Sequence, residues 1–272
     1  MNEIVSYFAT IPSSHRSLIL VFGISLFWLI ENAFPIFKLN YKKWNHAGIN
    51  IFFTLTTILI NFSLAFILLK TSDWSILNNF GVLQWLSPMP LWLYIFIGLL
   101  LMDLIGAYLA HLVEHKVKFL WRFHLIHHSD TWVDTTTANR HHPGESIIRF
   151  VFTTFGVFIL GAPMWMIFMY QTLSVVSTQF THANIKLPTK LDTILSYFLV
   201  SPNMHKVHHH YVLPYTDSNY GNIFSVWDRL FGTYRTLPYE EIVYGIDTHL
   251  DTNQHNKIGN LLKIPFEKVQ TP

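Results

Sequence analysis

Apolar residues form four long runs along the chain, and each is too continuous for the surface of a soluble domain. Residues 17–37 and 49–69 each suffice to cross a hydrocarbon layer, which takes about 20 residues of helix. Residues 91–110 form a third such run. The fourth, 147–181, is too long for one crossing. Its break at Gly161-Ala162-Pro163 predicts a hairpin of two shorter helices, because proline cannot continue a helix and glycine punctuates one. The polar segments 116–145 and 185–272 contain no repeat and no low-complexity linker, and are expected to cap the membrane helices. The pattern predicts an all-α integral membrane protein with four to five membrane helices, one pair of them a hairpin. The whole of 1–272 reads as a single unit: a tail and three spans in 1–110, a histidine-rich stretch in 111–146, the hairpin in 147–181 and a second histidine-rich cap segment in 182–272.

Composition agrees, with 51% hydrophobic and 12% charged residues. The first run carries Glu31, Pro35 and Phe37 instead of a small-residue cleavage site, so it reads as a span and not as a cleaved leader. A net charge of +2 with no basic, aromatic-laced tract argues against nucleic acid as a partner. The nine tryptophans and twelve tyrosines suit an interfacial belt and a core. Lys38, Lys42 and Lys43 follow the first run and Lys116, Lys118 and Arg122 the third, which places both loops on the cytoplasmic side.

Chemistry enters with sixteen histidines and no cysteine. Most cluster as His111-Leu-Val-Glu-His115, His124-Leu-Ile-His127-His128 and His205-Lys-Val-His208-His209. Residues three and four apart share a helix face, so each group can aim imidazoles at one point. Imidazole suits iron, copper, zinc and nickel, and thiolate sites are excluded. Eight rings exceed the four to six ligands of one ion, so two metals are the better count. His182, where the hairpin returns to the cap, is a ninth candidate. For these groups to meet, the hairpin must leave and re-enter on one side. Asp103, two turns before His111 on the same face, is expected to look into the bundle and either orient an imidazole or be satisfied by Tyr108 or another polar neighbour. His210 points about 100° away from His209 and is expected to support rather than ligate. His141 and His142 read as cap structure or a substrate vestibule, His46 as an interfacial anchor, and His15, His249 and His255 as solvated.

The three histidine groups in this order, followed by Asn219-Tyr220-Gly221 and Trp227-Asp228-Arg229-Leu230-Phe231-Gly232-Thr233, resemble the fatty acid hydroxylase and sterol desaturase superfamily of membrane di-iron enzymes over about 101–234. The resemblance implies His111, His115, His124, His127, His128, His205, His208 and His209 as metal ligands, joined by His182. It makes 219–233 a structural lock on the cap, with Asn219 a candidate to support a ligand ring. It implies two iron ions, replaceable by zinc during purification, and O2 as co-substrate for attack on an unactivated C–H bond of an acyl-chain, sterol or ether lipid. The same ligand set serves hydroxylation, desaturation and ether cleavage. Electrons must come from outside, from a reductase with a ferredoxin or a small haem cytochrome, because the chain has no dinucleotide fingerprint and no cysteine. A bacterial inner membrane or an endoplasmic reticulum would house it. Two other classes gather histidines: a membrane metal transporter or metal-binding protein, and a membrane zinc hydrolase. The nearly unbroken apolar spans argue against the first. The missing His-Glu-x-x-His order argues against the second.

Overall fold

The computed structural model describes residues 2–86, 88–249 and 251–268. Among these the secondary structure is helical throughout, and extended pairing is limited to isolated bridges such as Pro35 with Ile185. After a short α1 (Asn2–Ala9) come α2 (Ser13–Ala33), α3 (Lys43–Leu77), α4 (Leu91–Lys116), α5 (Lys118–His128), α6 (Pro143–Leu160), α7 (Met164–His182), α8 (Pro202–His208) and α9 (Val226–Leu230). Among the described residues, four helices are long and apolar enough to cross a membrane: α2, Lys43–Trp85, Leu91–Lys116 and α6. Their outward faces confirm the solvent they expect. Leu55, Leu59, Phe62 and Phe66 on α3, and Ile147, Val151 and Phe155 on α6, are all exposed at one-turn spacing. Such continuous apolar stripes would aggregate in water and are at home in lipid.

The expected hairpin is present as α6 and α7, of 18 and 19 residues, and its break falls where the sequence put it. Gly161 ends α6 in the left-handed region (φ 64°), which a side chain would resist, and Pro163 precedes the first turn of α7. His142 caps the other end, its Nδ1 accepting the Gly144 N–H at 3.0 Å, with Pro143 in the first turn. Packing follows from small residues and buried apolar ones. Met102, Phe150, Val157, Leu160, Met166, Ile167 and Tyr170 form the core between α4, α6 and α7. A second core, Phe53 with Leu125, Ile126, Leu261 and Ile264, fastens the C-terminal segment over α5.

Two expectations change here. The second span starts earlier than residue 49, and the leading turns of α3 leave the lipid-facing stripe for the cap. His46 is therefore not an interfacial anchor: it is buried, with Nε2 at 2.9 and 2.8 Å from the two Asp130 oxygens. His249 and His255 are likewise buried, not solvated, because the C-terminal segment folds back and the His255 carbonyl accepts from Arg140 at 2.7 Å. His15 is exposed as expected. The α6–α7 hairpin begins and ends at the cap, as convergence of the histidines requires.

Candidate metal centre

Four elements bring the histidines together. Near Leu104–Leu109 the helix α4 widens into a π-type turn, a feature that often marks functional sites, and His111 and His115 follow on its final turns. The α5 helix supplies His124, His127 and His128, the end of α7 supplies His182, and α8 with its C-terminal neighbour supplies His205, His208 and His209. All nine rings are buried. They sort into two groups: His111, His115, His124, His128 and His208, and His127, His182, His205 and His209, each with its ligand atoms within 4.8 Å of one another. The groups abut, since the His128 ring of the first lies 4.7 Å from that of His209 in the second, and the His208 ring lies 5.3 Å from that of His205.

Donor chemistry tests whether metal ions fit. The His182 Nε2 lies 3.0 Å from those of both His127 and His205 and 3.2 Å from that of His209. In the other group, His124 Nε2 is 3.1 Å from that of His111 and 3.2 Å from that of His128. Nitrogens each about 2.1 Å from a shared ion stand about 3.0–3.4 Å apart at octahedral to tetrahedral angles, so these separations match the edges of a coordination shell. Hydrogen bonds cannot account for all of them. The His182 Nδ1 donates to the Thr178 carbonyl at 2.8 Å, which leaves its Nε2 a bare lone pair facing three other Nε2 atoms. His111 and His208 are fixed alike through Nδ1, to the Tyr220 carbonyl at 2.9 Å and the Ser218 carbonyl at 2.7 Å. Among the described residues, the buried Nε2 atoms of His115 and His208 have no partner at all. Such orphans in a buried cluster call for an ion.

Electrostatics agree with neutral rings. Burial, and then neighbouring imidazoles, holds His124, His127, His128, His205 and His209 well below the usual histidine range, and burial with His115 does the same for His208. Neutral imidazole is the ligating form. Two carboxylates touch the outer nitrogens. The His124 Nδ1 lies 2.7 Å from Glu145 Oε1, and His115 Nδ1 lies 3.3 Å from Asp217 Oδ1. Burial would raise the Asp217 carboxyl, but the hydrogen bond from His115 and the ammonium of Lys116 hold it down at about 2.

The three residues expected to support the rings sit elsewhere. Asp103 faces inward but accepts the backbone N–H groups of Ile223 and Phe224 at 3.2 and 3.1 Å, tying α4 to the cap, and among the described residues it hydrogen-bonds to no imidazole. Tyr108 is occupied by Thr233 at 2.9 Å. Asn219, at φ 50°, bonds to Met204 O and Arg235 O. It shapes the loop whose Ser218 and Tyr220 carbonyls meet the rings, and its own side-chain hydrogen bonds go to backbone. His210 accepts from Val243 N–H at 3.1 Å and stands off the site. The supports that sequence reasoning missed are Glu145, Asp217 and Glu114. Glu114 and Glu145 were findable as acids within or beside apolar helix, where a carboxylate is costly without a role. Asp217, 102 residues from His115, left no local signal. His141 packs against His127, ring centroids 5.1 Å apart, at the periphery.

Abutting groups of buried imidazoles at the mouth of a lipid-facing helical bundle define an integral membrane protein with a histidine-rich, metal-compatible cluster. Residues 95–233 match the fatty acid hydroxylase family, over half of the chain, and the chain belongs to that family. The ornithine lipid hydroxylase OlsE of Rhizobium tropici is 30% identical over 155 residues, 57% of this chain and 45% of that protein. Alkylglycerol monooxygenase of Caenorhabditis elegans is 28% identical over 183 residues, 66% of this chain and 33% of the relative. A cholesterol 25-hydroxylase-like protein of Danio rerio is 28% identical over 124 residues, 45% and 48% of the two chains. The chain thus spans a third to a half of the length of these relatives. No solved structure matches it significantly.

Proposed function

We propose that this protein is a non-haem di-iron oxygenase that uses O2 to oxidise a C–H bond of a membrane lipid. The observation that carries the reading is the set of nine buried Nε2 atoms in two abutting groups, at separations suited to two coordination shells. His111, His115, His124, His128 and His208 would hold one iron, and His127, His182, His205 and His209 the other. Iron bound there supplies the redox capacity to reduce O2 and attack an unactivated C–H bond, which amino-acid side chains lack.

The chain's own groups do the rest. Carbonyls of Thr178, Ser218 and Tyr220, with the carboxylates of Glu145 and Asp217, fix each partnered ring with its Nε2 bare and aimed inward. The cap lock excludes water from the rings. Asp228 accepts from Tyr220 N–H at 2.7 Å, Gly221 N–H at 2.9 Å and Thr233 Oγ1 at 2.7 Å, closing the loop beside His111 and His208. The membrane helices deliver the substrate: family and relatives are lipid hydroxylases and monooxygenases, so an acyl-chain, sterol or ether lipid entering from the bilayer fits the apolar spans that end at the rings. In this reading the chain works as one unit, with its rings on the cytoplasmic side of a bacterial inner membrane or endoplasmic reticulum. An external reductase with a ferredoxin or small haem cytochrome supplies the electrons.

The test compares lipid extracts of cells with and without the protein under oxygen, alongside iron analysis of anaerobically purified material. A lipid gaining one oxygen or losing two hydrogens only in the expressing, aerated cells supports the proposal. Lipid turnover independent of oxygen would instead mark a hydrolase.

A further inference from the structure

The two ring groups have unlike surroundings. Around His124 the environment is anionic. Glu145 and Glu114 are both fully buried, and one guanidinium serves both: Arg149 Nε is 3.0 Å from Glu145 Oε1 and its NH2 is 2.8 Å from Glu114 Oε2. The second carboxylate is close as well, with Glu114 Oε2 3.9 Å from His124 Nδ1. Two carboxylates against one guanidinium leave a surplus negative charge if both are ionised, or a shared proton if not. Either way a carboxyl oxygen of Glu145 accepts from the outer nitrogen of His124 at 2.7 Å. Glu114, His124 and Glu145 would themselves form a ligand trio, but Arg149 already occupies the space between the acids.

The other group has no such support. Among the described residues, only His182 of its four rings has an Nδ1 partner, and that is the neutral carbonyl of Thr178. Among the described residues the Nδ1 atoms of His127, His205 and His209 have none. The adjacent buried charge is a cation: Lys206 directs its ammonium at the carbonyls of Thr181, His182 and Ala183, at the C-terminus of α7. The nearby acid, Asp130, is committed to His46, Thr137 and the charge of Arg140.

We propose that the two metal positions are unequal, and that Glu145, backed by Glu114 and Arg149, makes the His111/His115/His124/His128/His208 position the tighter and first filled. The inference rests on the metal reading above. A carboxylate on the outer nitrogen of a ligating histidine raises the basicity of that ring and fixes its orientation, and its loss typically costs ten- to hundredfold in metal affinity. In a buried site, charges near the ion are poorly screened, so the carboxylates favour a cation in the first position while Lys206 opposes one in the second. Glu145 is thus a positioning residue that acts through His124.

Cobalt(II), whose visible bands report each nitrogen site, can be titrated anaerobically into metal-free full-length protein in detergent. The wild-type chain should fill in two steps with distinct spectra. Glu145→Gln keeps a hydrogen-bond acceptor but removes the charge. It should weaken the first step ten- to hundredfold and shift its bands, leaving the second step unchanged. Lys206→Met should tighten the second step alone. A wild-type isotherm that fills both positions with one affinity and one spectrum overturns the proposal whatever the variants do, and so does equal weakening of both steps in Glu145→Gln. A wild-type chain that binds no cobalt overturns the metal reading itself, and this inference with it.

Discussion

Asp228 shows how much of the centre depends on residues that never face it. Its carboxylate takes donors from Tyr220 N–H, Gly221 N–H and Thr233, and the Tyr220 carbonyl in turn holds His111. Asp228→Ala strands two buried N–H groups, each costing about 1–3 kcal/mol. The melting temperature in detergent should fall by several degrees, and bound metal should fall with it. His182→Ala should separate the two effects. It removes a ring from one group only, so metal analysis should give about one ion per chain in place of two, with the helical circular dichroism intact. Unchanged metal content would remove His182 from the ligand set. At this scale the sequence was most legible where chemistry repeats within a helix turn, since the spacing of His124, His127 and His128 already implies one face. The outer partners were hidden because they come from other elements: Glu145 from the next helix, Asp217 from a loop beyond the hairpin, and Ser218, Tyr220 and Thr178 through carbonyls that every residue type carries.

The hairpin between α6 and α7 was visible in the chain because glycine and proline punctuate an otherwise continuous apolar run. The structure adds why the glycine is needed. Gly161 sits at φ 64°, and a Cβ there would stand 2.2 Å from the Phe80 carbonyl oxygen, backbone that cannot swing aside. Gly161→Val should therefore cost about 1–3 kcal/mol in strain alone and lower the thermal midpoint accordingly. Gly259→Ala serves as the control, because nothing lies within 4 Å of its would-be Cβ, and it should leave the midpoint unchanged or slightly raised. Equal midpoints for the two variants would mean that the turn is not under conformational constraint. The start of α3 was less legible. Hydropathy ends a span where polar residues begin, yet the turn carrying His46 and Asn50 remains helical because Asp130, Thr136 and Arg140 satisfy those side chains inside the cap. The π-type widening of α4 left no mark in composition.

Across the whole molecule, two packings compete at one boundary: apolar stripes that require lipid, and a polar cap whose interior holds nine neutral rings with lone pairs turned toward each other. Without an ion the bare lone pairs of His111 and His124, 3.1 Å apart, repel, and helix packing with the Asn219–Thr233 lock holds the backbone that presents them. Metal binding to the native state alone should therefore stabilise the chain, by about 4 kcal/mol at a free ion concentration a thousandfold above the dissociation constant. Chelation should lower the melting temperature by several degrees and iron(II) under anaerobic conditions should restore it. A pH series separates this from nonspecific effects. The buried imidazoles of α5 and α8 are held well below the usual histidine value, so the native state stays unprotonated where an unfolded chain, with imidazoles near 6.5, takes up protons. Stability then rises with pH wherever the unfolded state binds more protons. For the metal-free protein these rings contribute their full stability above about pH 6.5 and lose it progressively as the pH falls below that value. Thermal unfolding of the chelated protein between pH 8 and pH 5 should show this decline on the acid side. A flat profile would mean that the rings are accessible to protons in the folded state, and the dry, preformed ligand cluster would have to be abandoned.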